Sequence, residues 1–373
     1  MTGTTPEIHK GLAGVVVDRT AISAVVPETN SLTYRGYAVQ DLAASRRFEE
    51  VAYLIWHGEL PTPAELAGFA AAERSQRELS RSVIAQLERL PDTCHPMDVL
   101  RSAVSAFGAE DPTEDAADRD ALLAKSLAMM ARLPTVVALD FRRRHDRPRI
   151  APDPSLGFAE NFLHMCFGEV PEPDIVRAFD VSLILYAEHS FNASTFTARV
   201  VTSTLSDVYS AVTAAIGALK GPLHGGANEA VMEMMLEIGD PALAAGWLRD
   251  ALAAKRKVMG FGHRVYRSGD SRVPTMAAAM RHVAARRGGE RWVAMYDALE
   301  AEMIARKGIH PNLDFPAGPA YHMMGFDIPM FTPIFVMSRI TGWTAHIVEQ
   351  LEANSLIRPL SRYEGPTQRP VPV

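Results

Sequence analysis

From Phe48 onward, apolar residues recur at spacings of three and four, and the pattern holds almost to the end of the chain. Phe48, Val51, Ala52, Leu54 and Ile55 share one helix face, since residues three and four apart stack on a turn of about 3.6 residues. "LPTPAEL" then ends that helix and begins another with Pro63 in its first turn, where a missing N–H costs nothing. The same punctuation opens "LPDTCHPMDVLRSAVSAFG", "VPEPDIVRAFDVSLILYAEH" and "IGDPALAAGWLRDALAAKRK". A β-like character is confined to a short lead, "LAGVVVD" and "SLTYRGY"; regularly spaced β-branched runs are absent, which argues against a sheet-based fold. No segment repeats at a fixed period, so a helical solenoid loses ground too. The expected class is all-α with a short β-like N-terminal segment. At 373 residues the chain exceeds one compact core, and one large domain carrying a smaller one, or two domains, is expected.

Hydrophobic residues at 47% and charged residues at 22% are ordinary for a globular protein, and a net charge of -6 offers nucleic acid or an anionic membrane no attraction. Cys94 and Cys166 are too few for a disulfide framework or a four-cysteine zinc site, and their apolar neighbours point to buried thiols in a reducing compartment. The opening "MTGTTPEIHK" has neither a secretory nor a transit pattern. No segment is expected to reach membrane-spanning length, since runs such as "VSLILYA" are far too short and "MFTPIFVM" is broken by Pro333. The cytoplasm is therefore expected. Two stretches read as solvated linkers, the acidic residues 108–121 and the arginine-rich "DFRRRHDRPRI" at 140–150, the latter as a solvent-facing turn.

Four settings among the twelve histidines and the aspartates stand apart: "YAEHSFNASTF" (His189), "GPLHGGANEA" (His224), "GFGHRVYRSGDSRVP" (His263) and "HPNLDFPAG" (Asp314). Ala227, Ala230, Val231, Met234 and Ile238 form a helix face ending at "GDP", so His224 lies at or just before that helix's start. The positive end of the dipole there favours neutral imidazole, a hydrogen-bond donor suited to a carbonyl oxygen that gains negative charge. Gly225 and Gly226 are expected to leave room for a substrate. The alternative is a glycine-rich turn with a solvent-facing histidine.

Gly260 and Gly262 make a loop before His263, but the third glycine and preceding strand of a dinucleotide fingerprint are missing, and "KGPLHGG" is no Walker A loop. The basic end Lys255, Arg256 and Lys257 is suited to attract a phosphorylated cofactor. Arg272 either converges with His263 on a small anion or lies on the surface. Asp314, between Leu313 and Phe315, is either a base strengthened by desolvation or a loop anchor. Arg339 sits in an apolar helix and needs an anionic partner, internal or bound. Arg358, near the C-terminus, is placed to dock on another subunit.

Taken together, "SLTYRGY", "HPMDVLRSAVSAFG", "YAEHSFNASTFTARV", "GPLHGGANEA", "GFGHRVY", "PNLDFPAG" and "RITGWTAHIVEQ" resemble, in collinear order over nearly the whole chain, the citrate synthase family. Within it they look most like the branch that makes 2-methylcitrate. The resemblance implies a helical homodimer with shared active sites, a large domain (residues 1–220 and 322–373) and a small mobile domain (221–321). It makes His224, His263 and Asp314 the catalytic set. Asp314 would take the α-proton of an acyl-CoA while His224 donates to the thioester oxygen, and His263 would polarise the oxaloacetate ketone. His189, Arg272, Arg339 and Arg358, the last from the neighbouring subunit, would hold the oxaloacetate carboxylates. The loop Val258, Met259, Gly260, Phe261 and Gly262 would receive coenzyme A, a co-substrate rather than a bound cofactor; no cofactor or metal is expected to be resident. Propionyl-CoA is the preferred acyl donor and acetyl-CoA the alternative, since one methylene is worth only about 1–3 kcal/mol in a pocket. Two other classes compete. A metal-dependent hydrolase built on His189, His224, His263 and Asp314 has ligands 35, 39 and 51 residues apart, without short histidine spacings. A silent helical binding protein makes these residues incidental.

Overall fold

A computed structural model describes residues 8–26, 30–263, 265–266 and 269–372. Near the N-terminus three short strands, β1 (Ser23–Val26), β2 (Ser31–Tyr34) and β3 (Tyr37–Ala38), form an antiparallel sheet in that order. β2 and β3 are joined through Arg35 and Gly36, with φ 48° and 89°, and positive φ at both central positions is what a two-residue type I′ turn requires. Arg35 is held there by donating from Nε and Nη2 to the Ile55 carbonyl at 3.1 and 2.8 Å. The hairpin buries Tyr34, whose hydroxyl donates to the Glu188 carbonyl at 2.9 Å and so fixes the turn that carries His189.

The regular elements described after the sheet are helices. The helices are α1 (Val39–Ser45), α2 (Phe48–His57), α3 (Pro63–Arg74), α4 (Arg81–Glu88), α5 (Pro96–Ala109), α6 (Arg119–Arg144), α7 (Phe158–Phe167), α8 (Pro173–Tyr186), α9 (Ala193–Ser203), α10 (Val208–Leu219), α11 (Ala227–Ile238), α12 (Ala244–Ala253), α13 (Val273–Arg287), α14 (Glu290–Lys307), α15 (Asp314–Met324) and α16 (Phe331–Glu352). The prolines expected in first turns are there at the start of α3, α5 and α8. Thr62 and Glu65 form a reciprocal capping box on α3, with the Thr62 N–H donating to Glu65 at 2.8 Å. Almost wholly buried, α16 packs against α2, α6, α8, α9 and α10 and forms the axis of the core. The helices α11 to α15 make a second group, in which α11 and α13 lie on α15 and α12 on α14. It meets the rest where α13 packs on α8 and α11 on α16.

Three expectations fail in detail. "LAGVVVD" is not a strand: residues 10–12 form a 3-10 turn and Val16 is 89% exposed, because no described strand runs alongside it. The arginine-rich stretch is not a solvent-facing turn over its whole length. α6 continues to Arg144, Asp140 is fully buried, and Arg143 and Arg144 each pair with it at 2.8 Å. Arg142 is likewise buried and donates to the Cys166 carbonyl at 3.0 Å. Lastly, α6 does reach spanning length, and it is the one described helix long and apolar enough to cross a membrane. Lys125, Arg132 and Pro134 interrupt its apolar run in the sequence, and 78% of its most apolar window is buried inside this fold. The acidic stretch before it is mostly exposed, as expected, with Lys125 gathering the Glu114 and Ala116 carbonyls at 2.8 and 2.9 Å.

Candidate active site

Where the two helix groups meet, the starts of α9, α11 and α15 converge with the end of α8, the middle of α16 and the loop before α13. His224 stands three residues ahead of α11 in a tight turn. Gly225 is required for that turn rather than for access. A Cβ there would lie 2.5 Å from Leu219 Cγ and 2.6 Å from the Leu219 carbonyl, so the space expected for a substrate is filled by Leu219. The imidazole turns inward, and its Nε2 receives the Ser194 backbone N–H at 3.2 Å, with Ser194 Oγ at 2.8 Å. A backbone N–H cannot rotate away or accept, so Nε2 is the acceptor and the ring proton sits on Nδ1. Ser194 itself is placed by Asn192, whose Oδ1 lies 2.8 Å from its hydroxyl, and by Trp343 of α16, which donates to it at 3.0 Å. Burial, then the charge of Arg339, pushes the His224 pKa down to about 3, so the ring is a neutral donor at pH 7.

Asp314 opens α15. Its Oδ1 accepts the Tyr186 hydroxyl at 2.7 Å, and no described residue bonds to Oδ2. Burial pushes its pKa up to about 6, against the opposing hydrogen bond from Tyr186 and the charge of Arg272. The turn bearing it is pinned by its neighbours. The Asn312 side chain accepts the Asp314 N–H at 3.1 Å and donates to the Gly262 carbonyl at 3.0 Å, while the Asn312 N–H donates to the Gly260 carbonyl at 2.9 Å. α11 and α15 cross close to their starts: Val231 and Phe315 both crowd Gly260, and a Cβ on Gly318 would lie 2.8 Å from the Asn228 carbonyl. His224 and Asp314 thus sit about one turn from the same crossing, each within the field of Arg339.

The loop Val258–Gly262 pairs by its backbone with residues 310–312, through the Gly262 N–H to the His310 carbonyl at 2.9 Å and a bridge from Phe261 to Pro311. Gly260 adopts φ 83° where a Cβ would strike Val231 at 2.6 Å, which only glycine permits. In the preceding basic run, Arg256 is bound to Glu237 at 2.6 and 2.7 Å and lies over Trp247. His263 Nδ1 accepts the Val265 N–H at 3.1 Å, leaving Nε2 to donate, and burial with Arg272 nearby pushes its pKa down to about 4. The His263 and His189 rings are 4.9 Å apart between centroids. His189 is buried, its Nε2 has no partner among the described residues, and burial then Arg272 hold its pKa well below the usual range.

Arg272 is no surface arginine. It is 5% exposed and clamped by Asp270, with Nε and Nη2 donating at 2.9 and 2.7 Å, while Nη1 reaches only the Leu185 carbonyl at 3.5 Å. Burial works against its charge, but Asp270 outweighs it and the pKa is raised. Arg339 is 2% exposed, donates from Nε to the Tyr186 carbonyl at 2.6 Å and rests on the Phe335 ring. It forms no ion pair with any described carboxylate, and burial pushes its pKa down to about 10. Arg358 is not brought to this cluster within the chain. It stands exposed on the extended residues 353–372, which leave α16 along α9, where Asn354 and Ile357 hold Ser203. No group of three or more His, Cys, Asp or Glu suited to a metal converges among the described residues.

Sequence reasoning missed Ser194, Tyr186, Asp270 and Asn312. Each acts by a contact between segments distant in the chain; only the Asp-x-Arg spacing of "GDSR" offered a local signal.

A neutral imidazole donor and a raised carboxyl stand at crossing helix starts, and two buried arginines lie close enough to bear on the carboxyl's charge. A family model, "Citrate synthase, C-terminal domain", matches residues 11–360. The chain belongs to the citrate synthase family. This citrate synthase homologue is 68% identical over 367 residues to a 2-methylcitrate synthase of Mycobacterium tuberculosis, covering 98% of this chain and 93% of that one. It is 66% identical to a citrate synthase of Mycolicibacterium smegmatis, covering 98% and 97%. A citrate synthase structure from Thermoplasma acidophilum, solved as a ternary complex with carboxymethyl coenzyme A and oxaloacetate, superposes with a TM-score of 0.94 at 35% identity, covering 99% of both chains. The all-helical citrate synthase fold expected from the motifs is the fold observed.

Proposed function

We propose that the chain condenses propionyl-CoA with oxaloacetate and water to 2-methylcitrate and free CoA, and that it also accepts acetyl-CoA. The observation that supports this reading is that Asp314, a desolvated carboxyl, and His224, a neutral ring with its proton on Nδ1, stand at the starts of two helices that cross close to those starts. The unbridged Oδ2 of Asp314 removes the α-proton of the acyl group, while His224 donates to the thioester oxygen and spreads the charge that develops there. The enol carbon attacks the ketone carbon of oxaloacetate, the oxygen of the new carbon–carbon adduct takes a proton from His263 Nε2, and the proton gained by Asp314 passes through solvent to replace it. Water then cleaves the thioester, its hydroxyl going to the acyl carbon and the proton to the departing CoA sulfur.

His189, Arg272 and Arg339 hold the two oxaloacetate carboxylates, a role supported by a His189 Nε2 without partner, and guanidinium nitrogens without carboxylate, among the described residues. Arg358 of a neighbouring subunit completes the set; its exposed tail, with Leu360 87% and Tyr363 76% accessible, supports a homodimer. Coenzyme A lies against the backbone of Val258–Gly262 and comes and goes as co-substrate. Residues 221–321 move as a small domain on the remainder (1–220 and 322–373), with the second boundary falling in the last turn of α15; closure keeps the thioester from bulk water. The reducing cytoplasm is the proposed compartment, supported by Cys94 and Cys166 both being free thiols.

The M. tuberculosis relative supports propionyl as the favoured acyl group and the M. smegmatis relative supports activity with acetyl. The deciding experiment compares kcat/KM for propionyl-CoA and acetyl-CoA at fixed oxaloacetate. Propionyl is expected to be preferred; a tenfold or larger preference for acetyl makes the acetyl reaction the main one.

A further inference from the structure

A carboxylate outside the reacting set joins two parts of this site. Asp270 is 3% exposed and lies between His263 and α13. Its Oδ1 accepts the Arg272 N–H at 3.1 Å and Nε at 2.9 Å; its Oδ2 accepts Arg272 Nη2 at 2.7 Å and the Leu313 backbone N–H at 3.1 Å. Those four bonds use the full acceptor capacity of an ionised carboxylate. Two of them fix the Arg272 guanidinium and a third its backbone, leaving Nη1 with only the long contact to the Leu185 carbonyl among the described residues. The fourth holds the residue immediately before Asp314.

We infer that Asp270 is a positioning residue that sets the oxaloacetate-binding arginine and the base of the reaction against each other, so that the same carboxylate which aims Arg272 also fixes where α15 begins. This inference rests on the proposed roles of Arg272 and Asp314. An ordinary counter-ion needs only the contacts to Arg272, and the Leu313 contact is what extends the role to the base. Asparagine cannot replace it, because an amide NH₂ on either side would confront two N–H donors. Serine or alanine would leave Arg272 buried without its charge partner.

The test is Asp270→Asn, assayed with saturating oxaloacetate and either acyl-CoA, its folding checked by circular dichroism and thermal unfolding. The expected result is a rise of tenfold or more in the KM for oxaloacetate together with a fall of about 10²-fold in kcat that saturation does not restore, the size associated with displacing a reacting group by about 1 Å. The acid limb of kcat should also move to lower pH. Asp314 is faced by Tyr186 from α8, Arg339 from α16, and Arg272 and Asp270 from the loop before α13, and of these only Asp270 adds a negative charge. A variant in which the oxaloacetate KM alone changes, with kcat within twofold of the parent and the acid limb unmoved, would reduce Asp270 to a counter-ion and overturn the inference. Should the variant not fold, amide hydrogen exchange of the parent protein decides: the peptide containing Leu313 should gain protection when oxaloacetate binds, and no gain refutes the coupling. Failure of the underlying functional reading looks different, since Asp314→Ala would then keep its activity whatever Asp270 does.

Discussion

At the residue scale the chemistry depends on pKa values that move apart. Asp314 rises to about 6 while His224 and His263 fall to about 3 and 4, so one carboxylate and two neutral rings coexist above neutrality. The base works only when ionised. The rate should therefore climb about tenfold per pH unit below about 6 and level off above it, with neither histidine adding to that limb; a kcat profile flat down to pH 4.5 would contradict the assignment of Asp314. The same shift costs stability. A carboxyl raised from 3.8 binds its proton more tightly folded than unfolded, so the fold loses up to roughly 3 kcal/mol as pH rises through that window and the cost stays constant above it. Asp314→Asn can still accept the Tyr186 hydroxyl, and it should raise the thermal midpoint at pH 8 but hardly at pH 4, as scanning calorimetry at the two pH values would reveal. His224, His263 and Asp314 were legible in the sequence because glycines, prolines and apolar neighbours mark them locally. Ser194 and Tyr186 were not, since a serine in a helix start and a tyrosine in an apolar run acquire their roles only from partners 30 and 128 residues away.

Among the elements, helix starts do the positioning. His224, Asp314 and Ser194 each occupy the opening of a helix or the turn before it, and short contacts at glycine bring those openings together. Gly225→Ala would drive a Cβ to within 2.6 Å of both the side chain and the carbonyl of Leu219. It should destabilise the protein by about 1–3 kcal/mol and lower kcat more than the KM for oxaloacetate, because it shifts the His224 turn and spares the arginines. Unchanged melting and kinetics would mean that the turn tolerates the extra methyl. Helix periodicity and capping signals were strong enough to place α2, α3, α5, α8 and α11 from sequence. "LAGVVVD" misled because valine-rich composition measures fitness for a sheet rather than the presence of a partner strand. The arginines of α6 misled for a related reason: their burial depends on Asp140 and on carbonyls from α7 and the following loop, which a charge count does not register.

For the whole molecule, one chain holds every proposed site residue except Arg358, whose tail stands away from its own cluster. If the partner supplies Arg358, chains carrying Arg358→Ala and chains carrying Asp314→Ala are each inactive alone. Dissociated together and reassociated at random, they should recover about a quarter of parental activity, since half of the dimers then contain one intact site of two. No recovery after verified exchange would mean that the partner does not supply Arg358. The claim on which the whole account turns is that Asp314 is the base, and its most direct measurement is CoA release from propionyl-CoA and oxaloacetate by Asp314→Ala at pH 8. Loss of at least 10²-fold in kcat, with helical content and melting temperature maintained or raised, is the predicted result. A folded variant that keeps most of the parental rate would contradict the account.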